Sequence, residues 1–139
     1  MGSFSKILVL MAALFVASTV YAQRTPVPIM DRPNVPITTG SGKPANLDAV
    51  KRAIIDGGAA GARKWVFVPH GEALRGTYKV RSHTVVVDVL PARNSFSLKY
   101  ADSINMKYGV ESGTPVIHPF YNRWVDELLE AIRVEMTKL

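Results

Sequence analysis

The stretch KWVFVPHGEALRGTYKVRSHTVVVDVLPARNSFSLKY, from Lys64 to Tyr100, reads as one strand after another. Lys64 to Val68 is apolar and rich in β-formers, and Pro69-His70-Gly71 punctuates it. Leu74 to Arg81 alternates: Leu74, Tyr78 and Val80 point one way, Arg75, Thr77, Lys79 and Arg81 the other. Thr84 to Leu90, with Val85, Val86, Val87 and Val89, predicts a central strand covered on both faces. Ser95 to Tyr100 sets Phe96, Leu98 and Tyr100 against Ser95, Ser97 and Lys99. Short turns at Pro69 to Glu72 and Pro91 to Asn94 favour antiparallel neighbours. Ser82-His83 is compatible with a turn or with a bend inside one long strand.

Helical patterns flank this region. Asn46 is placed to cap a helix carrying Leu47, Val50, Ile54 and Ile55 on one side, with Asp48 in its first turn and Gly57-Gly58 as its stop. Pro119 suits a helix start, after which Tyr121, Val125, Leu128, Ile132, Met136 and Leu139 form one stripe beside Trp124 and Leu129. Arg123 with Glu127, and Glu130 with Arg133, are spaced to pair on its wet side. The order predicts a two-layer α+β domain over residues 46–139, a roughly four-stranded antiparallel sheet with an N-terminal and a C-terminal helix packed on one face. Residues 23–45 hold five of the nine prolines and have no helical or strand period, the pattern of an extended, solvated spacer or strap.

The N-terminus carries an address. Lys6 precedes the apolar run Ile7 to Ala17, and Val20-Tyr21-Ala22 supplies small side chains, the three parts of a secretory signal peptide. Ser18-Thr19 closes the run well short of the ~20 residues a bilayer span needs. Cleavage after Ala22 is expected, leaving 117 residues, no transmembrane span and a periplasmic or secreted location. The sequence contains no cysteine. Disulfides, thiolate chemistry and a lipobox tether are thereby excluded, and a domain of this size must hold by packing alone.

Beyond residue 22 there are sixteen basic and eleven acidic residues, a net charge of +5. The excess is concentrated from Arg63 to Lys107, while residues 108–139 are net acidic. Such a field attracts anionic material of the envelope as well as providing ordinary solubility. Nucleic acid is excluded as a partner by the export signal, and nothing in the chain specifies an oligomeric state.

No cofactor, metal or catalytic motif stands out. Gly57-Gly-Ala-Ala-Gly61 follows a helix and leads into a strand, the reverse of a dinucleotide loop, and reads as a helix stop. Gly40-Ser-Gly-Lys43 is followed by proline where a phosphate loop needs Ser or Thr. His70, His83 and His118 lack zinc spacing. No Gly-x-Ser-x-Gly elbow occurs, and Asp102-Ser-Ile-Asn105 reads as a turn.

Two candidate surfaces remain. One is the polar face bearing Arg75, Thr77, Lys79 and Arg81, joined by Ser97 and Lys99 if the second and fourth strands are neighbours, which suits phosphate or carboxylate groups of lipid headgroups, glycans or peptidoglycan. The other is a pocket among Tyr100, Asp102, Asn105, Tyr108, His118, Tyr121, Asn122 and Trp124, with His83 and Asp88 within reach through folding. Three functions follow: a non-enzymatic envelope-binding domain, a hydrolase or metal-dependent enzyme using His83, Asp88 and His118, or a structural protein lending its sheet edge or proline-rich arm to an assembly.

The runs Val80 to Asp88, Ser95 to Tyr100 with Asp102-Ser103 and Asn105, and Ile117-His118 with Tyr121-Asn-Arg-Trp124, resemble a family of small bacterial envelope proteins of unassigned chemistry, many of them lipoprotein-like. The resemblance covers about residues 50–135 and implies an envelope location. It departs in the absent lipobox cysteine, which favours a periplasmic or exported form without a lipid anchor.

Overall fold

The computed structural model describes residues 24–139, so the expected signal peptide, residues 1–22, lies outside the described residues. The chain forms β1 (Val27–Pro28), β2 (Arg32–Pro36), α1 (Leu47–Ala60), β3 (Val66–His70), β4 (Ala73–Val80), β5 (His83–Pro91), β6 (Ser95–Ile104), β7 (Gly109–Glu111), β8 (Thr114–Ile117) and α2 (Phe120–Met136). The main sheet has the order β2-β6-β5-β4-β3, and a smaller sheet runs β1-β8-β7, all pairs antiparallel.

The four expected strands are present as β3 to β6, paired in sequence order as a meander, and both helices cover one face of them. Val85, Val87 and Val89 of β5 are fully buried beneath them, each contributing about 1.5–3 kcal/mol relative to exposure. The opposite face stays open. Val66, Val68 and Ile104 are more than half exposed there, so β5 is central but covered on one side only. Its valine run is longer than its buried set because Thr84 and Val86 only half-bury against their neighbours on the open face.

Among the described residues eight strands are found where about four were expected. The proline-rich segment, expected as a solvated spacer or strap, straps the domain through real pairing: β1 joins β8 and β2 joins β6. Val35 is buried in the core, and Asn34 at φ 50° marks the irregularity that lets β2 pass Pro33. Prolines sit on both outer strands of the main sheet, Pro33 and Pro36 on β2 and Pro69 on β3, where a missing donor costs least. β7 and β8 are joined by Ser112-Gly113, both at positive φ, a two-residue hairpin turn. Arg81-Ser82 is likewise a turn between separate strands, since Val80 pairs with His83.

The helix expected to stop at Gly57-Gly58 continues through both glycines and ends at Gly61. Asn46 caps it, its Oδ1 accepting from the Ala49 amide at 2.8 Å. The glycines are there for close approach. A Cβ on Gly57 would lie 2.7 Å from the Cα of Ile132 on α2, and one on Gly58 would lie 2.7 Å from the Phe67 ring. That ring is also pressed against Gly76 of β4, so Phe67 sits between two positions that have no side chain.

Candidate functional site

The basic row does not form as a continuous patch. β4 and β6 are separated by β5, so the row across the sheet reads Arg75, Asp88, Lys99. Arg75 donates from Nε and Nη2 to the two carboxylate oxygens of Asp88, both at 2.8 Å. Those bonds hold the Asp88 carboxyl below the usual carboxylate range against the opposing effect of burial, with the charges of Arg75, His70 and Lys99 helping. Next to it Thr77 aligns with Val86 and then Asp102, so a second acid interrupts the lysines. The open-face trough here, about 570 Å³, is lined by Asp31, Glu72 and Asp88 as well as His70 and Lys99, a mixed field rather than a cationic one.

Arg81 belongs elsewhere. The β4–β5 turn holds it at φ 54° at the end of the sheet, beside a cavity of about 270 Å³ between that turn, the β6–β7 loop and the start of α2. Arg63, Arg81 and Arg123 line it together with His83, His118, Phe120 and Trp124. Local bonding explains how they meet. Asn105, at φ 56°, donates from Nδ2 to the Ser82 hydroxyl at 2.8 Å, and its carbonyl lies 2.7 Å from His83 Nδ1. A carbonyl only accepts, so His83 carries a proton on Nδ1. The His118 amide donates to the Met106 carbonyl at 2.8 Å, tying the helix start to the same loop. The Phe120 amide in turn donates to His118 Nδ1 at 3.1 Å, which fixes the neutral tautomer with its proton on Nε2. Burial, then the charges of Lys107, Arg24 and His83, keep His118 below the ordinary histidine range.

The guanidiniums are held by aromatic rings. Arg63 lies 5.0 Å over Trp124 and 5.6 Å over Tyr78, and it donates to Glu127 at 2.7 Å and to the Tyr78 hydroxyl at 3.1 Å. Arg123 and Arg24 lie 4.7 and 4.4 Å from the Phe120 ring centre. Among the described residues Glu127 is the one carboxylate paired with any of these arginines, reaching Arg63 and, at 3.7 Å, Arg123. Arg81 has no ion-pair partner among the described residues.

The remaining residues of the expected pocket are mostly structural. Tyr100 stacks on Tyr108 at 5.0 Å, meets Tyr121 edge-on at 5.7 Å and bonds Ser103 through its hydroxyl at 2.8 Å. Burial raises its pKa, and it raises that of Tyr121 further. Asp102 accepts from the Ser103 amide at 2.8 Å, a local backbone bond of the kind expected, although β6 runs through it to Ile104. Asn122 clamps the N-terminal arm, accepting from the Met30 amide at 3.1 Å and donating to the Pro28 carbonyl at 3.0 Å. Arg32 on Asp126, at 2.6 Å, is a second clamp on the same helix.

The expected grouping of His83, Asp88 and His118 is not assembled. Strand alternation turns His83 to the helix-covered side with Val85, Val87 and Val89, and Asp88 to the open side with Arg75. Sequence reasoning found His83, His118, Arg81 and Trp124 but missed Arg63, Arg123 and Phe120. The readable signal was the run Phe120 to Trp124, which sets Arg123 among three rings. Compared with known proteins, the chain matches no family model, no curated protein and no solved structure.

Proposed function

We propose that this is an exported, non-enzymatic binding domain for an anionic component of the bacterial envelope. The carrying observation is the cavity at the end of the sheet, where Arg63, Arg81 and Arg123 surround a space open to a ligand and, among the described residues, only Glu127 offsets them. Guanidiniums stacked on rings lose little further freedom when they bind an oxyanion, and partial burial strengthens each charge-assisted bond. The start of α2, which has no acidic residue in its first turn, adds a positive backbone field at the same place. The export signal and the resemblance to small envelope proteins support the address. The open sheet face is a poorer anion site because Asp88 and Asp102 interleave its cations.

The test is co-sedimentation of the purified protein with isolated bacterial membranes and peptidoglycan at low and high salt. Binding is expected to weaken as salt rises. Reversing Arg81 and Arg123 to Glu should reduce it at least tenfold, while Lys79→Glu with Lys99→Glu should leave most of it. Absence of binding at either salt, or the opposite ranking of the two double variants, sinks the reading.

A further inference from the structure

We propose that the arginine-lined cavity selects a phosphomonoester dianion over both a carboxylate and a neutral sugar, an inference that rests on the anion-binding reading and narrows it. Sugar pockets present a bare aromatic face to the ring. Here the rings already carry cations: Arg63 over Trp124 at 5.0 Å, with Arg123 at 4.7 Å and Arg24 at 4.4 Å on Phe120. Arg63 commits two donors to Glu127 and the Tyr78 hydroxyl, and its remaining N–H groups, with those of Arg123, are oxyanion donors.

The number and origin of these donors favour phosphate. A carboxylate is planar, and one guanidinium fork in its plane engages both of its oxygens, as Arg75 does for Asp88 on the other side of the sheet. The cavity instead draws donors from the loop before β3, from the β4–β5 turn and from the first turn of α2, directions that suit the three terminal oxygens of a tetrahedral group. His118 adds a donor, because the Phe120 amide occupies Nδ1 and leaves the proton on Nε2. Three lining arginines face one carboxylate, Glu127. That surplus is matched by two negative charges better than by one, and a phosphomonoester carries close to two at neutral pH. The volume of about 270 Å³ holds roughly nine waters at ~30 Å³ each, enough for the phosphate and part of the group that bears it.

Phosphate of this class reaches an exported protein as a lipid headgroup or on a small solute, and the experiment separates the two. Calorimetric titration of the purified protein would use inorganic phosphate, glucose 1-phosphate, glucuronate and glucose, with vesicles containing phosphatidic acid or phosphatidylglycerol run in parallel. Amide NMR would follow the Trp124 indole and His118 signals. We expect at least one phosphomonoester probe, glucose 1-phosphate or phosphatidic acid vesicles, to bind at least tenfold tighter than glucuronate and to shift both reporters. Arg81→Gln is expected to lose at least fivefold in affinity, and among the described residues this turn residue has no ion-pair partner whose loss would unfold the chain. A preference for phosphatidic acid over phosphatidylglycerol and glucose 1-phosphate assigns a lipid headgroup; the reverse assigns a small solute. Equal binding of glucuronate overturns the phosphate inference while leaving the anion-binding reading intact. Binding without shifts at Trp124 and His118 overturns the assignment to this cavity. Silence of every anionic probe, in solution and on vesicles, overturns the inference, and envelope co-sedimentation then decides the broader reading separately.

Discussion

Replacing Gly57 by alanine sets helix propensity against packing, and the structure determines which one wins. In an exposed helix interior the change gains about 1 kcal/mol. At Gly57 the new Cβ would sit 2.7 Å from the Ile132 Cα and 2.9 Å from its nitrogen, roughly 1 Å inside the ~3.5–4.0 Å separation of atoms in contact. Both obstacles are backbone of α2, so no rotamer change relieves them, and the two helices must part locally. Overpacking costs about 1–3 kcal/mol, and two backbone obstacles place this case in the upper part of that range, about 2–3 kcal/mol. Subtracting the propensity gain leaves Gly57→Ala about 1–2 kcal/mol less stable. Urea unfolding followed by tryptophan fluorescence should show the midpoint falling by about 0.5–1 M. Ala59→Gly, exposed on the same helix, is the reference and should cost about 1 kcal/mol from propensity alone. A Gly57→Ala midpoint equal to or above that of the parent chain would refute the close crossing of α1 and α2.

Asn122→Ala removes two bonds to the N-terminal arm and should cost about 1–2 kcal/mol, read as faster hydrogen exchange at Met30. Tyr121 is fully buried with no bonding partner for its hydroxyl among the described residues, so Tyr121→Phe should leave stability unchanged or raise it by up to ~1 kcal/mol; a clear loss in calorimetric melting would contradict this environment. Asp88 has a depressed folded pKa, so its contribution is complete above the unfolded value of ~3.9 and disappears as pH falls through the folded value. The urea midpoint gap between the parent and Asp88→Asn should therefore close in acid, and a constant gap down to pH 2 would count against the pairing with Arg75. His118 is also depressed, so its contribution is full above ~6.5 and declines as pH drops from there towards the folded pKa; His118→Gln should flatten that part of the stability profile.

The four strands and both helices were legible because their periodicities are strong and local. The stripe from Tyr121 to Met136 states its buried side without help from the rest of the chain, whereas Val85 to Val89 announces a strand but reads as covered on both faces, although Val86 lies on the open one. What escaped depends on partners far away in sequence. Nothing within Arg32 to Pro36 announces a strand, since two of its five residues are proline and its pairing energy comes from β6. Gly57-Gly58 reads as a stop until Ile132 and Phe67 are seen against it. The same limit governs the site. Alternation correctly put Arg75, Thr77, Lys79 and Lys99 on one face, yet only the strand order brings Asp88 between them. Arg63 and Arg123 meet at one cavity because a loop and a helix start converge there, a relation with no signature in local spacing.

The N-terminal arm also has a consequence for the timing of folding. Chains are made from the N-terminus, so β1 and β2 exist long before anything they pair with. Met30 waits for Asn122, 92 positions downstream, and Arg32 for Asp126, 94 positions downstream. Through that interval an ordinary strand would be free to zip onto the edge of a neighbouring unfinished chain. A segment with a proline at two of five positions offers too few consecutive amides to do so. The same prolines that hide the arm from sequence reading thus help keep it idle until its partners on β6, β8 and α2 have been made.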